Sequence, residues 1–98
     1  MNYSGKLKFG EVMRFLEELG FHERDANSSH HIVLVHDRSN VRLVLPHYRR
    51  SDIVQPTHVA AIRSSLRNAP FSWAHSKGYD RTLRSYPEIA SRLFGETS

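Results

Sequence analysis

The fold of this chain is decided by residues 30–45, HHIVLVHDRSNVRLVL. Both ends of this stretch are rich in β-branched and aliphatic residues, whereas residues 37–40 form a polar turn sequence. In residues 41–45, the alternation of a strand turns Val41, Leu43 and Leu45 to one side, and their neighbour Arg42 therefore faces outward. Pro46 ends that strand because it has no N–H to donate to the ladder. The stretch predicts an antiparallel hairpin with strands over 30–36 and 41–45 and one buried face.

The residues before the hairpin predict a helix and a third strand. Apolar side chains recur at helical spacing over residues 8–19, with charged residues on the opposite face. Gly20 follows, and a left-handed C-cap conformation is easy there because glycine has no Cβ. Residues 21–24 predict a short strand, which a turn at 25–28 joins to the hairpin. The chain therefore begins with a helix and continues as a three-stranded antiparallel meander.

The residues after the hairpin predict a second amphipathic helix. Pro56 suits a first helical turn, and the apolar stripe continues to about Asn68. One face of the sheet can cover both helices, so the predicted fold is α+β, an α-β-β-β-α two-layer sandwich with the helices on one face. The predicted core consists of Val12, Leu16, Leu19, Leu34, Leu43, Leu45, Val59, Ile62 and Leu66.

The last part of the chain is predicted to be less regular. Residues 71–78 hold aromatic side chains without a period, and residues 87–94 predict a short helix closed by Gly95. We assign residues 1–70 to the main domain and residues 71–98 to a C-terminal extension packed on the same domain. Its aromatic residues either pack on the core or form a stacking or partner surface; they are Phe71, Trp73 and Tyr79.

Length and composition limit the function classes. A chain of 98 residues has room for one core, and the absence of cysteine excludes disulfides, thiolate zinc sites and cysteine nucleophiles. The longest aliphatic run, Ile32–Val35, is too short to cross a bilayer, and no apolar signal-peptide core begins the chain, so we expect a cytoplasmic protein without a membrane partner. A formal charge of +4 and a pI near 9.9 favour an acidic partner such as nucleic acid. A solvated basic surface is the competing interpretation.

Histidine is the residue in this chain best suited to proton transfer at neutral pH. His30 and His31 are neighbours at the start of a strand, so their side chains point to opposite faces. A histidine at the end of a buried strand is more often a hydrogen-bonded structural residue than a catalyst.

Several motifs in order carry a family resemblance from Phe9 to Asn68. After the first helix come Leu-Gly-Phe at 19–21, Ser-Ser-His-His-Ile at 28–32 and Val-Leu-Pro-His at 44–47, followed by a Pro-led helix. This order resembles the HicA family of bacterial toxins, also called YcfA-like proteins. The resemblance implies a double-stranded-RNA-binding-like (dsRBD-like) fold and a ribonuclease that cuts messenger RNA, with a HicB-like antitoxin as its protein partner.

The family's mark is Gly-Ser-x-His at the start of the second strand, where the last histidine is catalytic. This chain matches the mark at Ser29 and His31 and carries Ser28 where the family has glycine. The resemblance therefore implies that His31 is the catalytic residue, and Ser29 is a supporting residue that would orient the phosphate or the histidine.

The remaining site residues are predicted from residue type and position. His31 would act as general base on a ribose 2′-OH or as general acid on the leaving oxygen, without a metal or cofactor. His47 is the supporting second proton carrier, or else an ordinary loop histidine. Cationic side chains and one aromatic side chain would bind the RNA. The alternative is that the loop over residues 48–50 is an ordinary solvated loop. These RNA-binding candidates are Arg42, Tyr48, Arg49, Arg50 and Lys77.

Two other functions remain open at the level of sequence. The chain could be a non-catalytic RNA-binding module of the same fold, as Ser28 suggests, or a protein-interaction domain that uses its C-terminal extension. His36 and His58 are predicted to be solvent-facing or edge residues. The spacing of His30, His31, His36 and His47 fits no usual zinc finger.

Overall fold

The computed structural model describes residues 6–24 and 31–94 of the chain. It confirms an α+β fold with helices and a three-stranded antiparallel sheet. None of the helices in these two ranges is long and apolar enough to cross a membrane. The elements, in chain order, are α1 (Phe9–Leu19), β1 (Phe21–Arg24), β2 (His31–His36), β3 (Val41–Pro46), α2 (Pro56–Asn68), a 3₁₀ turn (Trp73–His75), α3 (Tyr79–Ser85) and α4 (Pro87–Phe94).

The sheet has the strand order β1-β2-β3, with each neighbouring pair antiparallel. Phe21 lies opposite His36 at one end of β2, and His31 lies opposite Pro46 at the other. The prediction that β3 ends before Pro46 was wrong by one residue, because Pro46 still pairs with His31 at the end of the ladder. The predicted turn at 25–28, His30 and Gly95 lie outside the described residues.

Alternation divides the sheet into a core face and an open face. The core face carries Leu34 and Leu43, which are opposite each other and almost completely buried. The open face carries Val35 and Arg42, another opposite pair, and there Val44 is 54% exposed. Helices α1 and α2 contact the sheet through β1 and β3, respectively. All nine residues predicted for the core are buried. This confirms the prediction that apolar residues repeat every two residues in the strands and every 3.6 residues in the helices.

Helix α1 ends where it meets a histidine of the sheet. Gly20 has φ 114°, and its N–H donates to the carbonyls of Glu17 and Leu16. A Cβ on Gly20 would lie 3.0 Å from Cδ2 of His36. Both the left-handed backbone and the close approach therefore require glycine at this position.

Replacing Gly20 with alanine is expected to lower the free energy of unfolding by about 1–3 kcal/mol, the usual cost of a strained backbone conformation. Urea denaturation measures the change. Glu17→Ala is the matched control, because Glu17 is exposed on the same helix and should change stability by less than about 0.5 kcal/mol. Equal stability of the two variants would contradict the account of the C-cap.

Residues beyond Asn68 share the core of the sheet and its helices. Trp73 is 7% exposed, and Leu93 of α4 is fully buried in the same cluster as Leu66 of α2. Helix α4 packs mainly against α2, and α3 packs against α1. The sequence did not predict α3, since its seven residues are mostly polar and Gly78 provides no side-chain cap. Packing against α1 supplies what its local sequence lacks.

Candidate active site

His31 opens β2 on the open face of the sheet. Its side chain is exposed, and its residue pairs directly with Pro46 of β3. Side chains of directly opposite residues share a face, so His31 lies at one end of a strip that continues to Val33 and Val44. Arg42 lies on the same face, four residues before Pro46 and therefore about 13 Å along the strand. A phosphate chain that crosses the open face can reach both residues.

His47 follows Pro46 and is exposed where the sheet ends. Because Pro46 is the direct partner of His31, the chain carries His47 past the same end of the β2–β3 ladder. The two histidines that the sequence predicted as proton carriers therefore lie at the same end of the β2–β3 ladder, His47 one residue beyond the partner of His31. Ser29, the other supporting residue, lies outside the described residues.

The loop after His47 is held in place by aromatic packing. The ring of Tyr48 stacks on Phe9 of α1 with a centroid distance of 5.1 Å. Its hydroxyl accepts the N–H of Gln55 at 2.9 Å and hydrogen-bonds to Nδ1 of His58. The ring face against Phe9 is closed to a base, so Tyr48 has a structural role in the loop besides the predicted stacking role. His58 is half-buried in this contact.

Backbone hydrogen bonds join the same loop to the first turn of α1. No side chain caps α1; instead Phe9 N–H donates to the carbonyl of Asp52 at 2.8 Å and Gly10 N–H to that of Arg50 at 2.9 Å. The carboxylate of Asp52 also accepts the N–H of Arg49 at 2.8 Å. The loop therefore satisfies amides that the helix leaves unpaired, and the helix fixes the loop.

This arrangement presents two cations on a fixed backbone beside His47. The side chains of Arg49 and Arg50 are exposed. A Cβ on Gly10 would lie 3.2 Å from Cβ of Arg50, so the small residue on α1 lets the loop approach. Guanidinium groups held in this way can bind phosphate oxygens through paired hydrogen bonds.

Lys77, which the sequence grouped with the RNA-binding residues, is not near His31. It lines a cavity of about 410 Å³ at the opposite end of β2, together with His36 and Arg38. The five-residue rise of the strand separates this cavity from His31 by about 17 Å. The structure thus separates Lys77 from the cluster formed by His31, His47 and the arginine loop.

His36 is a buried residue, and the prediction that it faces solvent or an edge was wrong. It is 4% exposed and packs among the rings of Phe21, Phe71 and Trp73. The backbone N–H of Ser39 donates to its Nδ1 at 3.2 Å, so that nitrogen is unprotonated and the ring is neutral. The two-residue period from Leu34 placed His36 on the core face, and this signal was available in the sequence.

Burial lowers the pKa of His36 below its ordinary value of 6.5. A backbone hydrogen bond with Leu19 and the charge of Asp37 act in the opposite direction, and Arg38 adds to the lowering. The cavity beside His36 also holds Glu18, Lys77 and Arg81. Desolvation of the charged ring is the largest of these effects, so the folded state favours the neutral form.

Acidification below pH 6.5 is therefore expected to destabilise the chain through His36. Above that pH the ring is neutral in both states; between pH 6.5 and the lowered pKa the unfolded state binds the proton and the folded state does not, and below the lowered pKa both states bind it. Through this one group, the free energy of unfolding falls by at most about 1.4 kcal/mol per pH unit. Urea denaturation between pH 8 and pH 5 should show this slope reduced in His36→Gln, which cannot titrate there. Parallel curves for the two proteins would contradict the expectation.

The described residues hold no clustered metal ligands. Within residues 6–24 and 31–94, no three His, Asp or Glu side chains group as a metal ion requires. His31 and His36 are at opposite ends of β2 and on opposite faces. No protein-family model, curated protein or solved structure matches this chain.

Proposed function

We propose that this chain is an endoribonuclease of the HicA (YcfA-like) type, a toxin that cleaves messenger RNA without a metal. The observation that carries the proposal is the position of His31, exposed at the end of the β2–β3 ladder opposite Pro46, the residue before His47. The fixed loop with Arg49 and Arg50 follows directly. The proposal is supported by the sequence positions of two groups that can transfer protons and two that can bind phosphate, at or just beyond one end of this ladder.

The reaction uses the RNA's own 2′-hydroxyl as nucleophile. One histidine, which we assign as His31, takes the proton from the 2′-OH, and the oxygen attacks the adjacent phosphorus. The bond to the 5′ oxygen breaks, and that oxygen receives a proton from protonated His47. The products are a 2′,3′-cyclic phosphate and a 5′-hydroxyl. Arg49 and Arg50 bind the phosphate oxygens and stabilise the negative charge on them during the reaction.

The remaining parts of the proposal come from the resemblance. The α+β fold would be the dsRBD-like fold of the family, and Ser29 would be the serine of its motif. Arg42 would bind a phosphate further along the open face. A HicB-like antitoxin would hold the enzyme inactive in the cytoplasm by covering His31 or the approach to it.

The pure protein is expected to cleave a single-stranded RNA in the presence of EDTA and to leave 2′,3′-cyclic phosphate ends. The reason is that the mechanism needs no ion and forms the cyclic product when the 2′ oxygen attacks. Gel electrophoresis with and without a phosphatase that opens cyclic ends identifies the product. A strict requirement for added Mg²⁺ or Mn²⁺ would reject this mechanism.

A non-catalytic RNA-binding module is the second candidate, because Ser28 replaces the glycine of the family mark. Such a module would bind RNA through the same arginines without cutting it. Its binding constant would fall steeply with salt, since phosphate contacts release counterions. Salt-dependent binding without any cleavage over hours would favour this candidate.

A further inference from the structure

The two edges of the sheet differ in how well they are protected against pairing with another strand. β1 is four residues long, and its side chains at His22, Glu23 and Arg24 are all exposed. Short length and charge are the usual means by which proteins protect an edge. β3 is six residues long, and four of its residues are Val or Leu. Within residues 6–24 and 31–94, β2 is the only strand that pairs with it.

A groove borders the start of β3 on the side of α2. It has a volume of about 480 Å³ and lies between Val41 and Arg42 of the strand and the last turn of α2 with its following residues. Ser65 and Asn68 supply a hydroxyl and an amide from the helix side; Ser39 also lines the groove, but its hydroxyl is already hydrogen-bonded to Nδ1 of His36 and to the N–H of Val41. No acidic residue occurs among the described residues that line the groove.

We infer that β3 and this groove bind an extended acidic segment of a partner protein, which adds a fourth strand to the sheet. A strand placed about 4.8 Å from β3 would receive main-chain hydrogen bonds from alternate residues of the edge. Arg42 would pair with a carboxylate of the segment, and exposed Val44 would contact its apolar side chains. Pro46 has no N–H, and the N–H of Val41 donates to Oγ of Ser39 at 3.1 Å, so donation to the new strand is limited to residues 42–45.

Protein fits this edge better than RNA does. The exposed apolar side chain of β3 is an aliphatic valine, and none of the described residues that line the groove is an aromatic residue that could stack on a base. The unpaired peptide groups of an edge are matched by another peptide backbone, which alternates donor and acceptor at the same repeat. The inference stands whether or not the chain cleaves RNA, although a bound segment would compete with RNA for Arg42.

The test selects peptides against the full chain from a library of random decapeptides displayed on phage, in 150 mM salt. The expected result is enrichment of peptides that combine acidic and β-branched residues. Binding of the best synthetic peptide should weaken about tenfold or more in Arg42→Glu, because a charge-assisted contact becomes repulsive. Arg67→Glu is the matched control: Arg67 is exposed on α2 outside the groove, and the change in net charge is the same.

Hydrogen exchange of backbone amides separates strand addition from other ways of binding. The peptide should slow exchange at alternate amides of residues 42–45 and leave β1 unchanged. Protection of β1 in place of β3, equal binding to Arg42→Glu and Arg67→Glu, or an unenriched library would overturn the inference. Protection of the same amides by a single-stranded decanucleotide RNA would assign the edge to RNA and overturn it as well. No arm of this test depends on ribonuclease activity.

Discussion

Replacing His31 with alanine is expected to lower the rate of RNA cleavage by about 10²- to 10⁴-fold, the contribution that a positioned acid or base makes. The side chain is exposed at the end of β2, so its removal creates no cavity and leaves the fold intact. Initial cleavage rates on a single-stranded RNA measure the effect, and circular dichroism checks folding. Full cleavage by the folded variant would reject His31 as the catalytic residue.

Two further histidine variants test whether the loss of cleavage is specific to His31. His75→Ala is the matched control, because His75 is also exposed but lies in the turn that follows Trp73, near the opposite end of β2. It should cleave at the rate of the unchanged protein. His47→Ala should lower the rate as well, and it should remove one limb of a bell-shaped dependence of rate on pH. A normal rate for His47→Ala would leave His31 without the partner that we assign to it.

Replacing Trp73 with alanine is expected to lower the free energy of unfolding by about 3–5 kcal/mol. The indole ring lies between the sheet and the C-terminal helices, with ring centroids 4.7 Å from His36 and 6.2 Å from Phe94. Its Nε1–H also donates to the carbonyl of Leu66 at 2.9 Å, near the end of α2. The substitution opens a cavity and leaves that carbonyl unpaired. Since small domains are stable by only about 5–15 kcal/mol, much of the chain's stability depends on this side chain.

Urea denaturation measures the change, and Trp73→Phe provides a graded comparison. Phenylalanine fills part of the space but cannot donate to Leu66, so this variant should lose less stability than the alanine variant. A loss below about 1 kcal/mol for Trp73→Ala would mean that the extension contributes little to the core. In that case residues 1–70 would be a domain that folds without residues 71–98.

Local patterns in the sequence were sufficient to predict the helices and strands whose ends are marked by a proline or a turn sequence. Helix α2 runs from Pro56 to Asn68 as predicted, because proline favours the first turn and the apolar stripe has the helical period. The hairpin formed by β2 and β3 follows from alternation around the polar turn. The pairing of His31 with Pro46, the residue before His47, is a direct result of that hairpin's register.

Contacts between distant parts of the chain explain what the sequence did not predict. α3 has too few apolar residues to be recognised, and it is stabilised by packing on α1. His58 is half-buried because Tyr48, ten residues earlier, hydrogen-bonds to it. The position of Lys77 depends on how the C-terminal extension crosses the molecule, and no local pattern carries that information.

The sequence by itself determined the strands, the main helices and the face on which each side chain lies, since these depend on the short repeats of a strand and a helix. Only the tertiary structure decided that the loop of Arg49 and Arg50 caps α1, that Trp73 closes the core over His36, and that the edge of β3 borders a groove. The physical reason is that each of these contacts joins residues far apart in the chain. Their approach is set by the packing of the whole core and not by the preferences of neighbouring residues.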